Sequence, residues 1–371
     1  MKKILVILGT RPEVIKLAPV IQALQARANF FTTKICDTGQ HRELKQAVLD
    51  FFGIRPDYQL DGMHHSQTLS SLTAYLLQQL PNILNEFQPD VVIVQGDTTS
   101  AFAGSLAAFY AKIKIAHVEA GLRTYQKNAP FPEEMHRTLI THLADWHFAP
   151  TILAKQQLCR ENIAESKIYV VGNTVIDALH WTILQLQQQE SVAVEVLKTK
   201  IAPFQQQYAQ MLLFTLHRRE NLEQHLPEIT AALREILQQR RCFILFPVHL
   251  NPKVQDWANR LAQDFPNLLL TEPLPYEAFV WAMQHCDLIM TDSGGIQEEA
   301  PTLGKPVIVL RAHTERPEAQ VHGTVRQVSI EHSIIVAAAL QFLQQPVPIT
   351  TKVNPFGDGT AAQRIVHILQ E

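Results

Sequence analysis

The stretch DLIMTDSGGIQEEAPTLGKPVIVL, residues 287–310, decides the fold. Its two ends, DLIMT (287–291) and PVIVL (306–310), are apolar runs of strand length. Between them stand Gly294 and Gly295, a short helical segment and a Gly-Lys-Pro stop. Strand, glycine turn, helix and strand form the repeating unit of a parallel sheet. The start of such a helix points backbone N–H groups at an anion. Glu298 and Glu299 lie one turn further along the same helix, which a simple phosphate site does not require.

The same alternation extends in both directions. Strand-like runs are ILVIL (4–8), KIC (34–36), VVIV (91–94), IKIAHV (113–118), WHFA (146–149) and KIYVV (167–171). Helical segments such as PEVIKLAPVIQALQA lie between them. Near residue 172 the texture changes to a helix and a Gln-rich polar stretch reaching about 210, read as solvated helix faces and loops. Alternation restarts with MLLFTL (211–216), CFILFP (242–247) and NLLLTE (267–272). Continuous apolar strands are what helices on both faces of a parallel sheet demand. The expectation is an α/β protein with two Rossmann-like, doubly wound domains, its ligand sites at the carboxyl ends of the strands.

Composition bounds the function. The chain has 371 residues, 46% hydrophobic and 18% charged, a length that suits two cores. A net charge of −3 offers no global field for nucleic acid or a membrane surface. The four cysteines form no CxxC and are expected to be reduced, buried thiols of a cytoplasmic protein. MKKILVILGT begins like a signal peptide, but its apolar run ends after about five residues and reads as a first buried strand. No apolar stretch approaches the ~20 residues of a membrane span. No cofactor is expected, because neither GxGxxG nor GxxxxGK[ST] occurs.

The loops after the strands hold the chemistry. In GTRPEVIK (9–16), Arg11 and Lys16 read either as a diphosphate clamp at a helix start or as solvated helix cations. In QGDTTSAF (95–102), Asp97 reads either as a helix cap or as a site carboxylate. Glu119 follows the strand IKIAHV, and Glu133 and Glu134 open a helix after a proline-flanked loop. Several carboxylates at neighbouring strand ends raise one another's pKa and are candidates for proton transfer. His217, Arg218 and His249 stand at strand ends of the second half, as do Arg311 and, further into its loop, Arg316. His136, His142 and His147 look like a metal set, but spacings of six and five do not stack on one helix face, so no metal site is expected. At Ser293–Gly295, N–H donors followed by Glu299 would meet a diphosphate first and a ribose next, which reads as a nucleotide-sugar site. Glu298 reads as a solvated or structural neighbour.

Taken together, GTRPEVIK, QGDTTSAF, HVEAGLRT, PFPEE, GNTVIDAL, HRREN, PVHLNP, TDSGGIQEEAPTLGKPV and TERPEA resemble, in order, the non-hydrolysing bacterial UDP-N-acetylglucosamine 2-epimerases. The motifs spread over essentially the whole chain. The resemblance implies a glycosyltransferase-B-type fold with an interdomain active-site cleft. It implies a first domain of residues 1–172 plus a returning helix in 353–371, and a UDP-binding domain of residues 173–352. It implies reversible interconversion of UDP-GlcNAc and UDP-ManNAc by elimination of UDP and re-addition through 2-acetamidoglucal, in a homodimer. Asp97, Glu119, Glu133 and His217 match the family's catalytic residues. Arg11, Lys16, Ser293, Gly294, Gly295, Glu299 and Arg316 match its UDP contacts, and Phe279 an aromatic near the uracil. Gln40, His41, Arg218 and His249 match a second, activating UDP-GlcNAc site. The loop YQKNAPFPEE and Leu274 depart from many relatives. A glycosyltransferase of the same fold, a hydrolysing epimerase and a nucleotide-sugar sensor are the rival readings.

Overall fold

The computed structural model describes residues 1–40, 43–63, 67–311, 316–344 and 354–371. These divide into two compact units, Met1–Trp181 with Phe356–Glu371, and Thr182–Pro355. In the first, the strands are β1 (Lys2–Leu8), β2 (Phe31–Asp37), β3 (Tyr58–Gln59), β4 (Val91–Gln95), β5 (Lys114–Val118), β6 (Trp146–Ala149) and β7 (Ile168–Val170). They form one parallel sheet in the order β3-β2-β1-β4-β5-β6-β7. In the second, β8 (Gln210–Thr215), β9 (Cys242–Pro247), β10 (Leu268–Thr271), β11 (Leu288–Thr291), β12 (Val307–Leu310) and β13 (Val325–Val328) follow the order β10-β9-β8-β11-β12-β13. These pairs are parallel as well. Both sheets reverse direction of growth beside their first strand, between β1 and β4 and between β8 and β11. Those two points are where ligands bind in such sheets.

Burial explains the strands. Ile4 to Leu8 are each 0% exposed, so β1 is covered on both faces. The second core includes an edge-to-face pair of Phe214 and Phe246, ring centres 4.8 Å apart, against Trp257. Two strands escaped the sequence reading. β3 has two residues and β13 reads VRQV, and edge strands need few apolar residues because one side faces no neighbour. The polar stretch before residue 210 is also more structured than its composition implied. Val192–Gln207 is a helix that buries Val194, Leu197 and Ile201, while Gln205, Gln206 and Gln207 remain exposed.

The last helix, Ala361–Gln370, groups with the first unit and packs against the helix Arg11–Gln25. Asp177 caps its start, accepting from the N–H groups of Ala361 at 3.2 Å and Ala362 at 2.8 Å. The helix Thr174–Gln188, which carries Asp177, continues past Trp181 into the second unit. The four cysteines are unpaired, and Cys36, Cys242 and Cys286 are buried. Burial pushes those three thiols up to about 12, 11 and 12, which leaves them inert as nucleophiles. Among the described residues, no helix is long and apolar enough to cross a membrane.

Candidate active site

The turn after β1 is tightly enclosed. A side chain at Gly9 would sit 2.2 Å from both Ser100 Oγ and Thr38 Oγ1, so only glycine fits. Glu13 then ties the helix start. It accepts from Gly9 N at 3.0 Å, Thr10 N at 2.7 Å, Thr10 Oγ1 at 2.8 Å and Thr98 Oγ1 at 2.7 Å. Burial nevertheless raises its pKa. Arg11 is the first residue of the helix, and Lys16 lies one turn on. Lys16 is buried and forms an ion pair with Glu119, so it is not the solvated cation that one reading allowed.

Glu119 follows β5 with φ of +64°, a left-handed conformation that is costly for a residue with a side chain. It is 8% exposed and also accepts from Gln95 Nε2 at 2.9 Å and Asn173 Nδ2 at 3.3 Å. Asp97 stands at the neighbouring tip, after the Gly96 turn that follows β4. The capping alternative for Asp97 is removed. Thr98 caps the helix Thr99–Tyr110 by accepting from Ala101 N at 3.0 Å. Asp97 instead takes Arg137 Nη2 at 2.8 Å, and its carboxylate remains about a quarter exposed. Its own backbone carbonyl accepts from His136 Nδ1 at 3.0 Å, and the His136 ring stacks on Phe102. Burial is the main reason that the His136 pKa is lowered, so its ring is neutral near pH 7.

Glu133 and Glu134 open the helix Glu133–Leu143 with different jobs. Glu134 is 3% exposed and accepts from the N–H groups of Thr124 and Tyr125, folding the preceding loop back. Glu133 is half-buried and near enough to act on the charge of His136. Gln40 accepts from Ser100 Oγ at 2.7 Å beside the Gly9 turn. His41 lies outside the described residues. His147 binds the carbonyls of Thr141 and Lys167, and the described residues contain no cluster able to hold a metal ion.

In the second unit the organising group is Asp292, directly after β11 and fully buried. His217 Nδ1 lies 2.8 Å from its Oδ1. The carboxylate also accepts from the N–H groups of His217 and Arg218, the latter at 2.8 Å, and from Asn221 Nδ2 at 3.1 Å. Burial works to raise the Asp292 pKa, but these donors outweigh it and hold the group below the usual range. An anion at Nδ1 assigns the proton of His217 to that nitrogen and presents Nε2 as the reactive one. His249 stacks on His217 with ring centres 5.9 Å apart, and burial lowers its pKa. Arg218 Nε donates to the Asp292 carbonyl at 3.1 Å.

The two glycines are not a separate turn. Ser293 is the cap and Gly294–Thr302 is the helix, so both glycines lie in its first turn. Ser293 N already donates to Thr291 Oγ1 at 2.9 Å. The anion donors therefore begin at Gly294, where the first N–H groups of a helix have no partner within it. Glycine here provides room: a side chain at Gly295 would meet only Glu299, with Oε2 3.9 Å away. The paired carboxylates separate cleanly. Glu299 is 6% exposed and accepts from Tyr276 Oη at 2.8 Å. Glu298 is fully buried and paired with Arg316, which makes it structural and rules out the solvated alternative. Phe279 is half-buried on the helix Tyr276–His285.

The sequence reading passed over Asp292 and Arg137, and weighed His136 only as a metal ligand rather than as a partner of the Asp97 carbonyl. Asp292 stands within the quoted stretch itself, at a strand tip, and was overshadowed by the glycines beside it. His136 and Arg137 lie one helical turn after Glu133, a spacing that put them on the same face.

A profile of the family described as UDP-N-acetylglucosamine 2-epimerase matches residues 22–370. The UDP-N-acetylglucosamine 2-epimerase of Escherichia coli O157:H7 is 47% identical over 372 residues, covering 99% of this chain and 98% of that protein. The crystal structure of UDP-GlcNAc 2-epimerase from Neisseria meningitidis bound to UDP-GlcNAc superposes with a TM-score of 0.91 at 43% identity, covering 100% of this chain and 99% of that one. The Methanocaldococcus jannaschii UDP-GlcNAc 2-epimerase, in complex with UDP-GlcNAc and UDP, gives a TM-score of 0.85 at 36% identity over 100% and 99% of the two chains. Carboxylates at neighbouring strand tips, a histidine oriented by a buried aspartate and a helix start backed by Glu299 thus stand on a chain whose full length matches these enzymes, and it belongs to the UDP-N-acetylglucosamine 2-epimerase family.

Proposed function

We propose that the protein interconverts UDP-N-acetylglucosamine and UDP-N-acetylmannosamine without hydrolysis, by eliminating UDP and adding it back across 2-acetamidoglucal. The observation that carries this reading is Asp97, freed from capping by Thr98, held by Arg137 and partly open at the tip of β4. The C2 hydrogen is not next to a carbonyl, so direct deprotonation is prohibitive. As the bond from C1 to the UDP oxygen breaks, positive charge at C1 acidifies C2–H. A carboxylate takes that proton, and the C–H electron pair becomes the C1–C2 double bond. Proton delivery to the opposite face of C2 and return of the UDP oxygen to C1 complete the inversion. Asp97, Glu119 and Glu133 are the candidate proton carriers, and His217, oriented by Asp292, the candidate partner for the departing UDP.

The N–H groups from Gly294 onward suit the diphosphate, and Glu299, steadied by Tyr276, suits two ribose hydroxyls. Solved relatives that hold UDP-GlcNAc support this assignment. The resemblance also supports a homodimer and a second, activating UDP-GlcNAc site, to whose motifs Gln40, His41, Arg218 and His249 correspond. One assay tests the reaction. Incubated with UDP-GlcNAc alone, the protein should yield UDP-ManNAc. Free ManNAc with UDP would identify a hydrolysing enzyme instead, and unchanged substrate would defeat the reading.

A further inference from the structure

His117 lies in the middle of the first sheet, on β5, and is 0% exposed. Its strand neighbours Ile115, Ala116 and Val118 are apolar and buried, as a parallel strand demands. Its ring makes one hydrogen bond, Nε2 to the Gly96 carbonyl at 2.7 Å. Nδ1 is buried with no hydrogen-bond partner. A carbonyl only accepts, so Nε2 carries the proton and Nδ1 is a bare acceptor. An orphaned acceptor in a core costs stability, and an apolar side chain would avoid that cost. What the histidine supplies is therefore its single bond.

That bond falls one peptide unit before Asp97. Gly96 has φ of +69°, a conformation open to glycine, and no atom lies within 4 Å of where its side chain would be. The turn is therefore not wedged by packing at that side. Gly96 N donates to Val118 O at 3.0 Å, and the carbonyl on its other side is held by His117. His136 holds the next carbonyl, that of Asp97, at 3.0 Å, and Arg137 holds the Asp97 carboxylate. We propose that His117 is a positioning residue for Asp97: its Nε2–H fixes the Gly96 carbonyl and with it the direction in which the Asp97 carboxylate stands. The proposal rests on the reading of Asp97 as a proton carrier. Burial lowers the ring's pKa to about 3, despite the Gly96 bond and the nearby Glu119, with His147 and Arg123 opposing charge as well. The clamp therefore keeps one protonation state across the working range.

Two measurements test it. In His117→Phe, which fills the space without a donor, kcat should fall at least about tenfold while KM stays within about threefold, because a misplaced group costs chemistry before binding. His117→Gln, whose amide can donate to the same carbonyl, should recover most of that loss. An active wild type with His117→Phe at the same kcat, or with His117→Gln no faster than His117→Phe, overturns the positioning role. A wild type inactive on UDP-GlcNAc would overturn the proposed function instead. Nitrogen-15 spectra of the histidine rings in the wild type, assigned against His117→Gln, read the clamp without any turnover. A neutral ring protonated at Nε2 from pH 5 to 8 is expected, and an Nδ1-protonated ring or a titration in that range overturns the clamp.

Discussion

Glu298 and Glu299 are adjacent in sequence and identical in chemistry, yet the fold gives them different partners, Arg316 for one and Tyr276 for the other. Glu298 is fully buried against Arg316, and removing one member of a buried ion pair leaves an uncompensated charge. Glu298→Ala should lower stability by about 3–5 kcal/mol in a denaturant titration. Glu299→Ala should instead weaken UDP binding by about 2–4 kcal/mol and alter kcat little, because a ribose contact is alike in ground and transition states. A variant with intact UDP affinity and lost turnover would remove the ribose role. Asp292 invites a third substitution. Asp292→Asn keeps the size but takes the anion from His217, and kcat should drop by about 10²-fold or more with UDP affinity retained. An unchanged kcat would show that the orientation of His217 is immaterial. The sequence separated Glu299 from Glu298 but left Glu298 either solvated or structural; its buried pairing with Arg316, and the contact of Asp292 with His217, belong to the fold and could not be read from the letters EE or TDS.

At the scale of elements, the most informative is the terminal helix Ala361–Gln370, capped by Asp177. Burial raises the Asp177 pKa from 3.8 to about 6, although the N–H groups of Ala362 and Ala361 work against the shift. The folded state thus holds its proton more tightly than the unfolded chain. The stabilisation is complete below about pH 4 and is lost as pH rises through about 6. Between pH 4.5 and 7, Asp177→Asn should gain about 2 kcal/mol on the wild type in denaturation experiments, since the amide has no charge to bury. A difference that is constant with pH, or of opposite sign, would refute the raised pKa. Elements with strong apolar runs, such as β1 and β4, were legible from sequence. The edge strands β3 and β13 were not, because sheet pairing rather than composition makes them strands. The helix Val192–Gln207 was hidden by its glutamines, since only a narrow stripe of it is buried.

For the whole molecule, the chemistry predicts an isotope result. If elimination and re-addition operate, the C2 proton resides on a side chain that exchanges with solvent. Run in D2O, UDP-ManNAc should carry deuterium at C2, read by NMR or mass. A product without deuterium would sink the mechanism, because a hydride path returns the original hydrogen. The amino-acid sequence by itself determined the alternation of strands and helices, the two parallel sheets and the positions of Asp97, Glu119 and His217 after strands and of Glu133 at a helix start. It could do so because hydrophobic periodicity and strand-tip placement are local properties of the chain. Only the tertiary structure decided which group caps a helix and which is held by a buried partner. Thr98 displaced Asp97 as the cap, Lys16 turned to Glu119, Glu298 closed on Arg316, Asp292 met His217, and His117 met the Gly96 carbonyl. The physical reason is that each of these roles depends on burial and on donors distant in sequence, such as residues 217 and 292 or 16 and 119, which meet only when the sheet order is complete.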